Sequence, residues 1–327
     1  MKKLPWLKIV PIAVLMALIG FTLYSVTFLF ADDGTVDAKE ILAKIESGED
    51  VYYNNIKITG VLDFTKLAEN SNLSYNESES KIRIEIPSSI TIINSTIENG
   101  IIASGTRNGK SVVISFKKNF TLSRSLVKGV VTFTGSTIHG SVYCNSMVFT
   151  SNVSFEGASF LSNDILFSES AFKGEANFQG ATFSGTPTFL KTSFEQLAAF
   201  QNATFLSDAQ FGATTFYNYA DFSLLKVSGA FLAGTSSFLG KAVFTTARFK
   251  DRADFYSVEF QNTADFSRSI FTGALRFENA KFDSTLTLDE TTFYSGKPNM
   301  TNIGAPYKNL FSTAGSTTIT VTAFTLN

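Results

Sequence analysis

The chain of 327 residues contains only one cysteine, one histidine and one tryptophan. A single cysteine excludes an intramolecular disulfide framework. Cys144 also lies too far from the N-terminus to be a lipoprotein acylation site. With His139 as the only histidine and no nucleophile elbow, no Ser-His-Asp triad can be assembled. No P-loop and no GxGxxG motif is present, so the sequence points to no nucleotide cofactor.

Charged residues are also few, at 17% of the chain, and the formal net charge is −1. Binding to nucleic acid needs a basic face that neutralises phosphates, and this composition does not indicate one. Serine and threonine, in contrast, number 73. We therefore expect a surface covered by hydroxyl groups rather than by charges, and no nucleic-acid partner.

The N-terminus carries three lysines ahead of an uncharged, apolar stretch from Ile9 to Ala31. A membrane-spanning helix needs roughly 20 apolar residues, whereas the apolar region of a signal peptide has about 7–15. The length favours a retained transmembrane anchor over residues 1–31. The lysines before it, with Asp32 and Asp33 after it, orient the remaining chain outside the cytoplasm. The alternative is cleavage after Ala31, which would release a secreted protein.

Phenylalanine is abundant, with 34 copies, and it recurs in alternating steps of five and six residues. Each unit of eleven reads small-x-Phe-x-x-small-x-Phe-x-x-x, as in residues 176–186 (ANFQGATFSGT). Fifteen units run from Val131 to Gly296, with one extra residue between Val153 and Asp164. Phenylalanine fills 25 of the 30 Phe positions, and the others are filled by Ile138, Cys144, Val227, Ala233 and Leu288.

This period fits neither a helix nor an ordinary strand. Within each unit the small residue and the Phe are two positions apart, so both point to one side of a short extended segment. The next pair can point inward only if the chain turns a corner between them. Four such sides predict a coil of about 22 residues, stacked on the next coil at about 4.8 Å. The expected corners contain turn-forming residues, among them Gly157, Gly174, Gly180, Gly185 and Gly240.

The segment from Val131 to Gly296 resembles the pentapeptide-repeat family, in a Phe-rich variant with an extra residue in every second repeat. The resemblance implies an all-β fold, a right-handed parallel β-helix with four sides. It covers about half of the chain. The best-known activity in that family is mimicry of DNA by an acidic face. Residues 32–327 hold 28 acids against 24 bases, which is too weak an excess for mimicry.

One stretch departs from the repeat. At Leu225, Val227, Phe231 and Ala233, large residues occupy small positions and small residues occupy Phe positions. The total volume is roughly kept, so we expect local repacking of a continuous core. The alternative is a kink or a binding notch at this point.

The ends are predicted to close the solenoid, because exposed strand edges need caps. Apolar residues between Val36 and Ile45 share one helical face and predict a short capping helix within residues 32–50. Residues 51–130 are expected to form irregular coils, with loops at 65–81 and 99–111. Residues 297–327 are expected to form a C-terminal cap, in which 317–324 is a closing or partner-pairing strand.

Three groups of residues were considered as sites. His139 and Cys144 could suggest a metal pair, but Cys144 takes an inward position and further ligands are missing. Asp221, Asp254 and Asp265 could line a polysaccharide-cleaving groove, but their spacing follows the repeat and favours a solvated surface. Seven glycosylation sequons, close to the number expected by chance, occur at Asn72, Asn76, Asn94, Asn119, Asn152, Asn202 and Asn299.

The sequence therefore assigns no catalytic, cofactor-binding or metal-binding residue. It favours a non-enzymatic scaffold, anchored to a membrane and facing outward. The expected partners are the membrane, envelope or surface proteins or polymers, and further copies of the same chain. The alternative is an extracellular β-helix that binds or degrades carbohydrate.

Overall fold

The structure is a computed structural model that describes residues 34–67 and 73–303, together with the strands Ile319–Thr320 and Thr325–Leu326. The predicted anchor over residues 1–31 lies outside these residues. Within the described part, no helix combines the length and the apolar character needed to cross a bilayer.

The chain winds through four sheets that form the four sides of a solenoid, in the repeating order face 1, face 2, face 3 and face 4. Face 1 contains Val51–Asn54, Ile90–Ile93, Phe120–Thr121, Val142–Tyr143, Asp164–Leu166, Thr186–Thr188, Ala209–Gln210, Phe231–Leu232, Ala253–Asp254 and Leu275–Arg276. Face 2 contains Thr35–Asp37, Lys57–Thr59, Thr96–Ile97, Leu126–Val127, Val148–Phe149, Ala171–Phe172, Ser193–Phe194, Thr215–Phe216, Ser237–Phe238, Glu259–Phe260 and Lys281–Phe282.

The other two sheets complete each coil. Face 3 contains Leu62–Asp63, Ile101–Ile102, Val131–Thr132, Val153–Ser154, Ala176–Asn177, Ala198–Ala199, Ala220–Asp221, Ala242–Val243, Ala264–Asp265, Leu286–Thr287 and Thr325–Leu326. Face 4 contains Ser74–Glu77, Lys81–Ile86, Ser104–Arg107, Lys110–Phe116, Thr137–Ile138, Ser159–Phe160, Thr182–Phe183, Thr204–Phe205, Lys226–Val227, Arg248–Phe249, Ile270–Phe271, Thr292–Phe293 and Ile319–Thr320. The ten strands of face 1 mark ten coils in the described part of the chain.

The predicted four-sided parallel solenoid is confirmed by the register between coils. Phe194 pairs with Phe216 and Phe216 with Phe238, so each coil takes 22 residues. The extra residue falls in the corner after Phe160, because Val142 pairs with Ile165 across 23 residues. All strands within the regular coils pair in parallel, as stacking of successive turns of one chain requires.

The Phe positions form four columns of rings inside the solenoid. Along one column, the ring of Phe200 stacks on Phe178 at 4.8 Å and on Phe222 at 5.0 Å between centroids. The non-aromatic fillers Ile138, Cys144, Val227, Ala233 and Leu288 are buried in the same columns. Burial of each large side chain contributes about 1.5–3 kcal/mol, and the stacking repeats this contribution in every coil.

Two of the four corners use residues in the left-handed backbone region. At the corner between faces 1 and 2, Thr192 donates its N–H to the carbonyl of Phe189, and Lys191 has φ 55°. This is a type II turn, which needs a positive φ at its third residue. Glycine would fit best, yet Lys191, Ala213 and Thr235 take this position in successive coils. The amide of Lys191 bonds to the carbonyl of Gly212 in the next coil, which helps to hold the turn.

At the other two corners, several glycines have no room for a side chain. A Cβ on Gly240 would lie 2.4 Å from backbone atoms of Asn218, in the preceding coil. Real Cβ atoms do not approach backbone so closely, so a side chain there would push two coils apart. The predicted corner positions of Gly174 and Gly185 show the same close approach, whereas Gly157 and Gly180 serve as left-handed turn residues.

The departure from the repeat is local repacking, as expected. Val227 pairs with Phe205 and Phe249, and Phe231 pairs with Ala209 and Ala253, so the register continues without a break. The ring of Phe231 lies 5.4 Å from Phe211 and 5.5 Å from Phe255. It fills the gap that Ala233 leaves in their column.

The N-terminal cap is a helix, Ala38–Glu46, that buries Ala38, Ile41 and Ile45. Asp37 caps it by accepting a hydrogen bond from the amide of Lys39 at 2.8 Å, and Gly48 follows its end with φ 83°. The prediction that Val36 belongs to this helix was wrong. Val36 lies in the strand Thr35–Asp37, which pairs with Lys57–Thr59 and covers the first edge of face 2.

Within the predicted loops at 65–81 and 99–111, several described residues belong to helical turns or strands, while residues 68–72 lie outside the described part. A 3-10 turn, Phe64–Lys66, leads towards a hairpin of Ser74–Glu77 with Lys81–Ile86, and Ser104–Arg107 forms a second hairpin with Lys110–Phe116. The second hairpin turns at Asn108 and Gly109, both with positive φ, which is the usual two-residue hairpin turn. The strands Lys81–Ile86 and Lys110–Phe116, one from each hairpin, pair in parallel. They prolong face 4 beyond the corner that it shares with face 3.

At the C-terminus, two short strands replace the single strand predicted over 317–324. Ile319–Thr320 runs antiparallel to Thr292–Phe293 on face 4. Thr325–Leu326 runs antiparallel to Leu286–Thr287 on face 3. Residues 321–324 lie outside the described part. Both strands pair with the last coil, which agrees with a closing role.

Candidate interaction faces

His139 and Cys144 do not form a site together. Cys144 is buried in a core column, with 2% of its surface exposed. His139 follows the inward residue of a face 4 strand, and its Nε2 lies 3.2 Å from the Ser115 hydroxyl. Burial, and then the nearby Lys117 ammonium, lower the pKa of His139. In the described residues no group of three or more His, Cys, Asp or Glu could hold a metal ion.

Burial also raises the pKa of the Cys144 thiol, to about 12 from an ordinary value of 9.0. The unfolded chain therefore loses this proton at lower pH than the folded chain. The stability that the neutral thiol contributes is complete below about pH 9 and falls as the pH rises towards 12.

We expect Cys144 to resist alkylation by iodoacetamide in the folded protein at pH 7–9 and to react at once after denaturation, because only the thiolate is nucleophilic. Raising the pKa from 9.0 to about 12 lowers the thiolate fraction about a thousandfold. Mass spectrometry of the alkylated chain measures the reaction. Rapid modification of the folded chain, at a rate that rises with pH, would show that Cys144 is accessible.

The three aspartates considered for catalysis are divided between two faces. Asp221 and Asp265 point outward on face 3, and Asp254 lies on face 1. Each accepts a hydrogen bond from the amide two residues later, at 2.9 Å for Asp221 and 3.0 Å for the other two. These carboxylates therefore hold the local turn of their own coil, and they do not converge on a common point.

Asp254 is also part of an ion cluster near the C-terminal end of face 1. The guanidinium of Arg276 lies 3.5 Å from Asp254 and 2.7 Å from Glu278. It also stacks over the ring of Tyr256, 4.2 Å from its centroid. The hydrogen bond to Glu278 and the charge of Asp254 raise the pKa of Arg276. One guanidinium and two carboxylates leave the cluster with one net negative charge, and these contacts hold Asp254 at its outward position on face 1.

Asparagines of the predicted sequons hold corners together. The Oδ1 atom of Asn119 accepts from the amide of Ser141, and that of Asn152 accepts from the amide of Glu175, both at 3.0 Å. Each bond joins one coil to the next. The serine or threonine two residues later is the outward residue of the following strand. Such motifs therefore arise from the repeat itself, while Asn72 lies outside the described residues.

The outward surface of face 4 changes character along the solenoid. From the third to the sixth coil its outward strand residues are Thr137, Ser159, Thr182 and Thr204. In the next two coils they are Lys226 and Arg248, and Lys250 follows on the same side. Sequence analysis missed this group. The signal in the sequence is the spacing of Lys226 and Arg248, which are 22 residues and therefore one coil apart.

Comparison with known families gives one match. Residues 233–281 and 255–296 match the family model for pentapeptide repeats (9 copies). This confirms the resemblance inferred from the Phe-rich units. No curated protein and no solved structure matches the chain.

Proposed function

We propose that this chain, whose residues 233–296 match the pentapeptide-repeat model, is a non-enzymatic scaffold, held by an N-terminal membrane anchor with its solenoid outside the cytoplasm. The observation that carries the proposal is the unbroken stack of ten coils. At about 4.8 Å per coil the stack is about 48 Å long. Its outward side chains form ladders along the four faces, which suits contact with extended or repeating partners.

The entry of the chain into the solenoid fits an anchored rod. Among the described strands, Thr35–Asp37 pairs with Lys57–Thr59 of the first coil, and the helix Ala38–Glu46 packs against strands of that coil. The chain therefore enters at one end of the stack. An anchor just before residue 34 would place the first coil near the bilayer and the tenth coil farthest from it.

The chemistry of the surface supports a binding role rather than catalysis. The carboxylates considered for catalysis bond to their own turns, and Asp254 is paired with Arg276. Outward hydroxyl groups such as Ser159, Thr182 and Thr204 suit hydrogen bonds to envelope proteins or polymers. Copies of the same rod are a further kind of partner under this proposal.

Labelling of intact cells with a membrane-impermeant maleimide tests the orientation. Tyr217 is 52% exposed on face 2, whereas Cys144 is buried, so Tyr217→Cys adds the accessible thiol and the unchanged chain is its matched control. We expect the variant alone to be labelled. Labelling of the variant only after lysis would overturn the outward orientation.

Fractionation and crosslinking complete the test. Salt-resistant recovery with membranes, at the mass of the full chain, is the expected result, and a soluble product that begins at Asp32 would indicate cleavage after Ala31. Crosslinks from outward positions to envelope components would support the scaffold. Crosslinks to cytoplasmic proteins would contradict it, and release by a soluble polysaccharide would favour the carbohydrate-binding alternative.

A further inference from the structure

Charged residues face each other three times in the parallel ladders of the described coils. Two of these pairs have opposite signs: Asp254 with Arg276, and Glu259 with Lys281. The third pair, Lys226 with Arg248 on face 4, has the same sign. Like charges directly opposite each other destabilise a sheet. This position therefore lowers the stability of the fold, while the other two ladder pairs support it.

Lys250 extends this like-signed pair. It follows the inward Phe249, so it lies on the outer side with Arg248, and all three cations are exposed. We call Lys226, Arg248 and Lys250 the cationic patch. Among the described residues none of the three has a carboxylate within ion-pair distance. The ammonium of Lys226 reaches only the side-chain oxygen of Asn202, at 3.2 Å.

The corner after the patch does not neutralise it. Asp251 and Arg252 lie there with opposite charges, and the carboxylate of Asp251 accepts a hydrogen bond from the amide of Arg252 at 2.6 Å. At the corner before face 4, Arg268 is paired with Glu290 at 3.0 Å. The charges of Asp251 and Arg252 cancel, as do those of Arg268 and Glu290, so the positive charge of the patch is left for an external partner.

We propose that the cationic patch binds a polyanionic polymer of the cell envelope, one that carries phosphate or carboxylate groups along an extended chain. This inference rests on the proposed outward orientation. The three cations are exposed, and a single exposed ion pair contributes little. Several contacts made at once by one polymer, with release of its counterions, give the affinity that one small anion cannot.

The distance of the patch from the first coil argues against lipid headgroups as its partner. Lys226 and Arg248 lie in the seventh and eighth coils, about 30 Å along the stack from the first. Charges are screened over about 8 Å at physiological ionic strength. An anchor at the N-terminal end would therefore hold the patch beyond the reach of an anionic bilayer surface.

The spacing of acids argues against a second copy of the chain. The acidic face 3 carries Asp221 and Asp265 in its outward ladder, with Val243 between them. These carboxylates are two coils apart, or about 9.6 Å, whereas Lys226 and Arg248 are one coil apart. Docking of face 3 on the patch would leave one cation opposite Val243.

Binding of linear inorganic polyphosphate to the full chain in non-ionic detergent tests the proposal. We expect Lys226→Glu/Arg248→Glu to raise the Kd at least about tenfold, because two phosphate contacts are lost. The matched control is Lys173→Glu/Lys241→Glu, which makes the same change of charge on faces 2 and 3. Both control lysines are exposed. We expect the Kd of the control variant to stay within about threefold of the wild-type value.

A second readout separates binding from folding. Lys226→Glu alone turns the like-signed ladder pair into one of opposite sign, so we expect its unfolding temperature to rise while its affinity falls. A variant that merely folded poorly would show both a lower unfolding temperature and a lower affinity. Wild-type binding should also weaken steeply with added salt, and orthophosphate at equal phosphate concentration should not compete.

Several results would overturn the proposal. Equal loss of binding in the patch variant and the control would show a general charge effect. Patch-dependent binding to phosphatidylglycerol vesicles, but not to polyphosphate, would identify a lipid partner. Self-association that is abolished by the patch variant, without polyphosphate binding, would identify a second copy. A cytoplasmic location in the maleimide test would refute the outward scaffold and the envelope source, while leaving polyphosphate binding measurable on its own.

Discussion

Phe216→Ala should lower the free energy of unfolding by about 3–5 kcal/mol, as is typical when a buried phenylalanine is truncated. The ring of Phe216 is stacked between Phe194 at 5.1 Å and Phe238 at 4.6 Å, and the ring of Phe222 lies nearly perpendicular to it, 5.7 Å away between centroids. The backbone of both neighbouring coils is tied by hydrogen bonds, so the walls cannot collapse freely into the space. The variant therefore leaves a cavity as well as losing buried apolar surface.

Urea denaturation followed by circular dichroism measures this loss. Tyr217→Ala is the matched control, because Tyr217 is the next residue and points outward with half of its surface exposed. Surface substitutions of this kind usually change stability by less than about 0.5 kcal/mol. A loss below about 1 kcal/mol for Phe216→Ala would mean that the column is not packed as the structure has it.

The effect should extend beyond one coil. Each coil contacts only its neighbours, so the stability of a solenoid is approximately a sum over coils and the interfaces between them. A cavity at Phe216 weakens the interfaces on both sides, with the strands Ser193–Phe194 and Ser237–Phe238. Hydrogen exchange should therefore accelerate first in these strands and less in distant coils.

The period of the sequence predicts the coil because it reports a strict steric requirement. Every inward position must hold a side chain that fits between two others, so Phe178, Phe200 and Phe222 recur at intervals of 22 residues. The corners carry a weaker signal. Their left-handed residues include Lys191 and Thr235, for which no propensity rule would predict positive φ. Contacts with the next coil override the local preference there.

The N-terminal coils are harder to predict for a different reason. Their strands lengthen into hairpins, and the polar segment 104–107 gains order by pairing with Lys110–Phe116 rather than by burying side chains. In the sequence, only the dipeptide Asn108-Gly109 indicates the turn of this hairpin. The apolar period predicts Val36 in the helix. In the structure it pairs instead with Ile58, at the edge of face 2.

The surface is the least predictable level, since solvent accepts many side chains. The division of Asp221 and Asp254 between two faces follows directly once the order of the sheets is known. The patch at Lys226 and Arg248 likewise needs only the 22-residue register. The placements of the aspartates and of the patch both follow from the 22-residue register, which aligns outward residues in ladders as it aligns the inward ones.

A double-mutant cycle at Phe231 and Ala233 should show strong compensation. Phe231→Ala alone should cost about 3–5 kcal/mol, because it empties the space between Phe211 and Phe255 that this ring fills. Ala233→Phe alone should cost about 1–3 kcal/mol by adding a second ring to the same space.

The double variant restores the usual order of small residue and phenylalanine in this coil, with nearly unchanged volume. Alanine at 231 would continue the ladder of Ala209 and Ala253, and a ring at 233 would stack in the column of Phe211 and Phe255. We therefore expect the double variant to lie within about 1.5 kcal/mol of the wild type, far from the sum of the single losses. Urea denaturation of all four proteins gives the interaction energy. Additive losses would mean that the two side chains do not share one space. The ring of Phe231 would then not compensate for the small side chain of Ala233.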